Sequence, residues 1–229
     1  MNRNELLKLQ EESIKEKVYW RLVSKNGLTG FGIYSVIQPD INNYRYYLEL
    51  DLPEKETGNT LVTLMMNPSK TFPYEERNAN IDTTVLNLAK ISQSAKINGK
   101  DADISKIVVL NTLPIINSNI DIALTALDEN RQKYNENFVK AYLKACDKEN
   151  TIFLAAWGNN TGINKYNKFI STINSEFKNK MYAFCINKEK TPTHPSPFNS
   201  AQINGFLKNP ELIQLGKINK KLTVSLKKG

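Results

Sequence analysis

A single histidine, a handful of asparagines and a few hydroxyls are the groups in this chain best placed to carry chemistry. The 229 residues include one histidine, His194, and two cysteines, Cys146 and Cys185. Two cysteines are too few for a disulfide scaffold, a four-cysteine zinc site or a four-cysteine iron–sulfur cluster, and one histidine removes most zinc enzymes. The chemistry expected is therefore that of His194, carboxylates, amides, hydroxyls and backbone, with no metal and no cofactor. Four apolar runs precede the notable residues. Residues 61–66 (LVTLMM) lead into Asn67-Pro68-Ser69, and residues 107–110 (IVVL) into Asn111-Thr112. Residues 152–157 (IFLAAW) end in Trp157-Gly158, and residues 181–186 (MYAFCI), after a Lys-rich loop, lead to His194-Pro195-Ser196-Pro197-Phe198. Each has a plain alternative: Asn67-Pro68 is a common turn opener, Asn111 suits a strand-end cap, and Trp157-Gly158 suits a core aromatic before a tight turn. A histidine flanked by prolines has a restricted backbone presentation. Joint placement is what singles out the set.

Short, nearly continuous apolar runs suit strands buried on both faces of a parallel sheet. Amphipathic stretches separate them at residues 82–92, 126–146 and 162–177. In the second stretch Tyr134, Phe138 and Tyr142, with Val139, Leu143 and Cys146, line one helical face. Alternating strands and helices predict an α/β sandwich with a central parallel sheet, in which ligands bind beyond the carboxyl ends of the strands. Upstream, residues 6–20 read as a surface helix. Residues 27–39 and 44–52, rich in Tyr, Ile, Val and Leu, read as an antiparallel hairpin. The expected organisation is an extension over residues 1–58 and a main α/β domain over 59–229, forming one unit. No uncharged apolar run approaches the roughly 18 residues of a membrane span, and the N-terminus lacks a signal-peptide core, so a cytoplasmic protein without a membrane partner is expected.

The formal net charge is +8, and its distribution is uneven. Residues 1–159 sum to −1, whereas residues 160–229 hold 12 Lys and three Glu and sum to +9. A basic segment of this kind suits a phosphate-backbone binder, because neutralised phosphates release counterions. It also suits a lysine-rich solvated surface. The oligomeric state is left open.

The motifs, taken in order, resemble the uracil-DNA glycosylase superfamily. His194-Pro195-Ser196-Pro197 is identical to the second catalytic motif of classical members, and Phe198 follows near the place of their intercalating leucine. Met66-Asn67-Pro68-Ser69 resembles the first motif in its mismatch-specific form, with Asn-Pro for Asp-Pro. The strand ending in Asn111 resembles the one whose asparagine reads the base, and the strand ending Trp157-Gly158 resembles the one before the second motif. More narrowly, Tyr44-Arg45-Tyr46, Asn67-Pro68-Ser69, Asp82-Thr83-Thr84 and Ala156-Trp157-Gly158 resemble the family called domain of unknown function 1643. The resemblance spans about residues 44–215.

It implies a three-layer α/β/α fold and a metal-independent DNA glycosylase that cuts the N-glycosidic bond of uracil or a 5-modified pyrimidine flipped out of single- or double-stranded DNA. Repair or defence against phages is the implied setting. Asn67 and His194 take the catalytic places, His194 donating to the base oxygen as charge develops there. Asn111, Ser69 and Trp157 take the base-binding places, an amide offering both donor and acceptor. Ser196, Phe198, Lys188, Lys190 and Lys208 take the DNA-binding places. Asn67 cannot act as a general base as an aspartate would. Ser69 stands where a tyrosine bars 5-substituents. The alternative is a non-catalytic nucleic-acid or nucleotide binder of the same fold.

Overall fold

A computed structural model describes residues 1–35, 43–53, 55–68 and 81–227. The N-terminal helix α1 (Arg3–Ser13) opens on a capping box, with Asn2 accepting from the Glu5 N–H and Glu5 returning the bond. It stops earlier than expected, because residues 19–25 go instead into a strand. Strands β1 (Tyr19–Lys25), β2 (Leu28–Ser35) and β3 (Tyr44–Asp51) form an antiparallel meander rather than the expected two-stranded hairpin. The missed signal is Asn26-Gly27, whose φ values of 53° and 79° suit the tight turn joining β1 to β2. The expected hairpin tip, including Asp40, lies outside the described residues.

The four apolar runs become β4 (Asn59–Met65), β7 (Ile104–Asn111), β8 (Thr151–Ala156) and β9 (Met181–Ala183). They run parallel in the order β7-β4-β8-β9. β9 is half the length of its apolar run, since Phe184 onward turns into the loop that carries His194. Between β4 and β7 come α2 (Thr83–Ser94) and a small antiparallel hairpin, β5 (Lys96–Ile97) and β6 (Lys100–Asp101). Between β7 and β8 come α3 (Ile120–Thr125) and α4 (Glu129–Ala145); α5 (Ile170–Glu176) precedes β9. α6 (Ser200–Lys208) then leads to an antiparallel pair, β10 (Ile213–Ile218) and β11 (Val224–Leu226). The result is a mixed α/β fold with a nine-stranded sheet, parallel at the centre and antiparallel at both flanks. The central parallel sheet expected from the runs is thus extended on both sides: β3 pairs with β7 and β10 with β9. Strands β1, β2 and β3 therefore continue the same sheet.

Two apolar cores lie on opposite faces of that sheet, as strand alternation requires. Val108 and Leu110 join one, with Phe138, Val139, Tyr142 and Leu143 of α4 and Leu6 of α1. Ile107 and Val109 join the other, with Val85, Leu88 and Ile91 of α2 and Phe206 of α6. β7 and β8 lie on opposite sides of β4, so the crevice between the carboxyl ends of β4 and β8 is a topological switch point, where ligands bind in open α/β sheets. A β-bulge shapes the neighbouring strand. Ile33 pairs with Tyr47 but Tyr34 with Arg45, leaving Tyr46 extra. Tyr46 and Tyr47 both enter the α4-side core, whereas the fully buried Arg45 hydrogen-bonds the Tyr34 hydroxyl. Among the described residues no helix is long and apolar enough to cross a membrane.

Candidate functional site

At the switch point lies a cavity of about 550 Å³, lined among others by Asn67, Asp82, Gly158, His194, Ser196 and Phe198. The loop carrying His194 is pinned at nearly every residue. Gly158 N–H donates to the Pro192 carbonyl at 3.0 Å, and Thr193 N–H to the Cys185 carbonyl at 2.9 Å. The Thr193 hydroxyl donates to Asn187 Oδ1 at 2.8 Å. Asn199 Nδ2 donates to the His194 carbonyl at 2.7 Å, and Asn87 Nδ2, from α2, to the Pro195 carbonyl at 3.1 Å. Prolines at 192, 195 and 197 fix φ between these anchors. The backbone that carries the imidazole is thereby held in place before any ligand arrives.

His194 Nε2 is shielded from solvent and has no hydrogen-bond partner among the described residues. Burial pushes the imidazole down to about 4, against an opposing pull from the Asp82 charge. At neutral pH the ring is uncharged and can act as a neutral N–H donor.

Asn67 sits just beyond β4. Its Nδ2 donates to the Asn117 carbonyl at 2.6 Å and to the Pro68 carbonyl at 3.2 Å. Two carbonyl partners fix which way the amide points, and no bond to Oδ1 is made by the described residues. Ser196 lines the same cavity, and its Oγ accepts from Asn199 Nδ2 at 3.3 Å. Phe198, four residues past His194, is 98% exposed at the rim.

Other predicted site residues are placed elsewhere. Asn111 ends β7 on the face it shares with Met65 and Val109; it is fully buried behind the cavity rather than on its wall. Its backbone carbonyl accepts from Asn135 Nδ2, but neither Nδ2 nor Oδ1 of its own amide has a partner among the described residues. Trp157 is wholly in the α4-side core, donating from Nε1 to the Leu222 carbonyl at 2.9 Å, and does not line the cavity with Asn67 and His194. Its neighbour Gly158 does. Ser69 lies outside the described residues. Lys188 is exposed in a shallow depression beside Asn159 and Asn187, both of which line the main cavity, so it stands near the rim. Lys190 is exposed and its carbonyl accepts from Val224 N–H. Lys208 is at the far end of α6, about 13 Å from the rim by helical rise.

Several residues of the site were not singled out from sequence. Asn87, Asn187 and Asn199 act as pins, and nothing about an asparagine in an Asn-rich chain marks it as one. Asp82 caps α2, its Oδ1 accepting from Val85 N–H at 2.9 Å, and lines the cavity. An Asp directly before an apolar-periodic stretch is a readable cap signal. No group of three His, Cys, Asp or Glu among the described residues could hold a metal ion.

Fold and cleft together define an α/β protein with a histidine-bearing pocket at the carboxyl edge of its parallel strands. The chain belongs to the family described as Protein of unknown function (DUF1643), which matches residues 45–196. That range holds the Arg45 bulge, Asn67, Asp82, Gly158 and His194. No curated protein matches. Among solved structures, a Bacteroides fragilis protein provisionally described as an acetyl xylan esterase is 10% identical with a TM-score of 0.31, over 84% of this chain and 58% of its own. A hetero-hexameric glutamate dehydrogenase from Thermus thermophilus is 9% identical with a TM-score of 0.30, over 75% of this chain and 37% of its own. This chain thus spans about half or less of those proteins, and likeness at that level carries no argument.

Proposed function

We propose that the protein is a metal-independent DNA glycosylase acting on uracil or a 5-modified pyrimidine. The observation that carries this reading is one of placement: an uncharged His194, whose shielded Nε2 has no partner among the described residues, lines the cavity, and a fully exposed Phe198 stands four residues on at the same rim. Exposing a phenylalanine so completely on a pinned turn serves no core. It suits a wedge that enters a base stack and holds open the space a flipped nucleotide leaves. The flipped base would enter the cavity, whose volume is large for one pyrimidine ring and leaves room for a substituent. As the C1′–N bond lengthens, electrons gather on the base and the sugar becomes cation-like. A neutral imidazole N–H directed at the base oxygen stabilises that charge without having been stabilised by it in the ground state. The Asn67 carbonyl oxygen can accept from a base N–H or a water, and the stranded amide of Asn111 offers both a donor and an acceptor behind the cavity. Lys188 can meet a flanking phosphate. The same reading takes the fold to be the three-layer sandwich of the glycosylase superfamily, supported by four parallel strands between helices on both faces.

The test is base release from oligonucleotides bearing uracil, thymine opposite guanine, and 5-modified cytosines. Abasic product from at least one is expected. Tight binding with no product from any would make the protein a recognition module that keeps the pocket without turnover.

A further inference from the structure

Hydrolysis of a glycosidic bond leaves a proton on the attacking water, and Asn67, an amide, cannot take it. Among the described residues lining the cavity there is one carboxylate, Asp82. It reaches the site from a different element, the N-terminus of α2, while Asn67 follows β4 and His194 sits in the proline loop. We propose that Asp82 is the catalytic base of this site, supplying the carboxylate that position 67 lacks. The proposal rests on the glycosylase reading and deepens it.

Three features support the role. Asp82 is half-buried on the cavity wall and held there by its own capping bond to Val85 N–H, so the carboxylate cannot swing into solvent without uncapping the helix. Its charge acts on His194, so the two groups lie within electrostatic reach across the cavity. It also acts on Tyr34, the partner of buried Arg45, which places it beside the polar cluster that the β3 bulge directs inward. In the reaction, water oxygen bonds to C1′ while Asp82 removes one of its protons. The C1′–N bond breaks with its electron pair passing to the base, whose oxygen is stabilised by His194 Nε2–H. The base departs as an anion and takes up the proton that Asp82 returns to solvent. The carboxylate's charge also opposes the positive charge that grows on the sugar.

Asp82 has an evident structural duty as the α2 cap, so the variant must separate the two roles. Asn caps a helix as well as Asp does, which makes Asp82→Asn a change of charge at constant cap. Single-turnover base release is measured with the uracil, thymine-mismatch and 5-modified-cytosine duplexes, alongside the thermal midpoint. Asp82→Asn is expected to keep the midpoint and lose on the order of 10²-fold or more in rate. Asp82→Ser, another good cap, is expected to behave likewise. A wild-type rate in Asp82→Asn overturns the proposal and leaves the glycosylase reading standing. Absence of base release by the wild-type protein from every duplex overturns the glycosylase reading and this role with it.

Discussion

Gly158 lies directly against His194. A β-carbon at residue 158 would stand 3.1 Å from His194 Cβ and 3.3 Å from Met66 Cε, and the backbone there has a φ of +83°. Both facts call for glycine. Gly158→Ala is therefore expected to push the proline loop outward, lowering base release at least tenfold while costing about 1–2 kcal/mol of stability. Kinetics and thermal melting on the same preparation check it; full activity would show that the imidazole position is not set by this contact.

The half-buried His194, its Nε2 shielded from solvent, also makes stability depend on pH. With its ionisation lowered to about 4 from an unfolded value near 6.5, His194 binds fewer protons folded than unfolded between those values. Stability should hold above about pH 6.5 and fall as the pH drops toward 4, by on the order of 3 kcal/mol from this group. His194→Gln should flatten that part of the profile in urea melts. Because the chain has one histidine, ring resonances report its protonation without assignment. An imidazole that charges near pH 6.5 would contradict its burial.

Trp157 tests the division between core and site. Its Nε1–H satisfies the Leu222 carbonyl, where the backbone has a φ of 58°. Trp157→Phe should cost about 1–3 kcal/mol through the carbonyl it strands, and leave the preference among bases unchanged. A shift in base preference at constant stability would place the indole in recognition after all.

How far the sequence foretold this arrangement varies by element. The four parallel strands were legible because β4, β7 and β8 are buried on both faces and so read as unbroken apolar runs. β1 escaped because its exposed residues, Arg21 and Leu22 among them, break the alternation, although Asn26-Gly27 marked its turn. β10 and β11 are short edge strands in a Lys-rich segment, where charge hides the pattern. For the cavity, His194 and Asn67 could be placed from the strand-end rule alone. Trp157 could not be excluded from it, because a strand's last residue may face either side and one residue of register decides which. Asp82 was legible only within the Asp82-Thr83-Thr84 motif and as the start of an amphipathic stretch; that α2 begins on the cavity wall is a fact of tertiary packing.

Phe198 separates binding to DNA from folding. At 98% exposure its side chain contributes almost nothing to the core, so Phe198→Ala should melt like the wild-type protein. Affinity for duplex DNA should fall, and fall less for single strands, where no stack needs to be opened. Binding should also weaken steeply with salt, and Lys188→Ala should make that dependence shallower by about one phosphate. Affinity that ignores salt would argue against a phosphate contact at this rim.

The sharpest contrast is between His194→Ala and Asn111→Ala. If the imidazole stabilises charge that appears on the leaving base, its loss is felt mainly in the transition state, so turnover should drop by on the order of 10²-fold while substrate affinity changes far less. The Asn111 amide has no partner among the described residues, and removing it relieves a buried polar group. Asn111→Ala should therefore leave stability unchanged or slightly raised, by about 1 kcal/mol. If that amide turns to a base on binding, the variant should lose discrimination between pyrimidines as well as rate, because a site built around hydrogen bonds rejects ligands that cannot make them. A destabilised Asn111→Ala with base preference intact would assign the residue to the fold. Equal losses of DNA affinity in the two variants, with no base released by the wild-type protein, would make the pocket a recognition site.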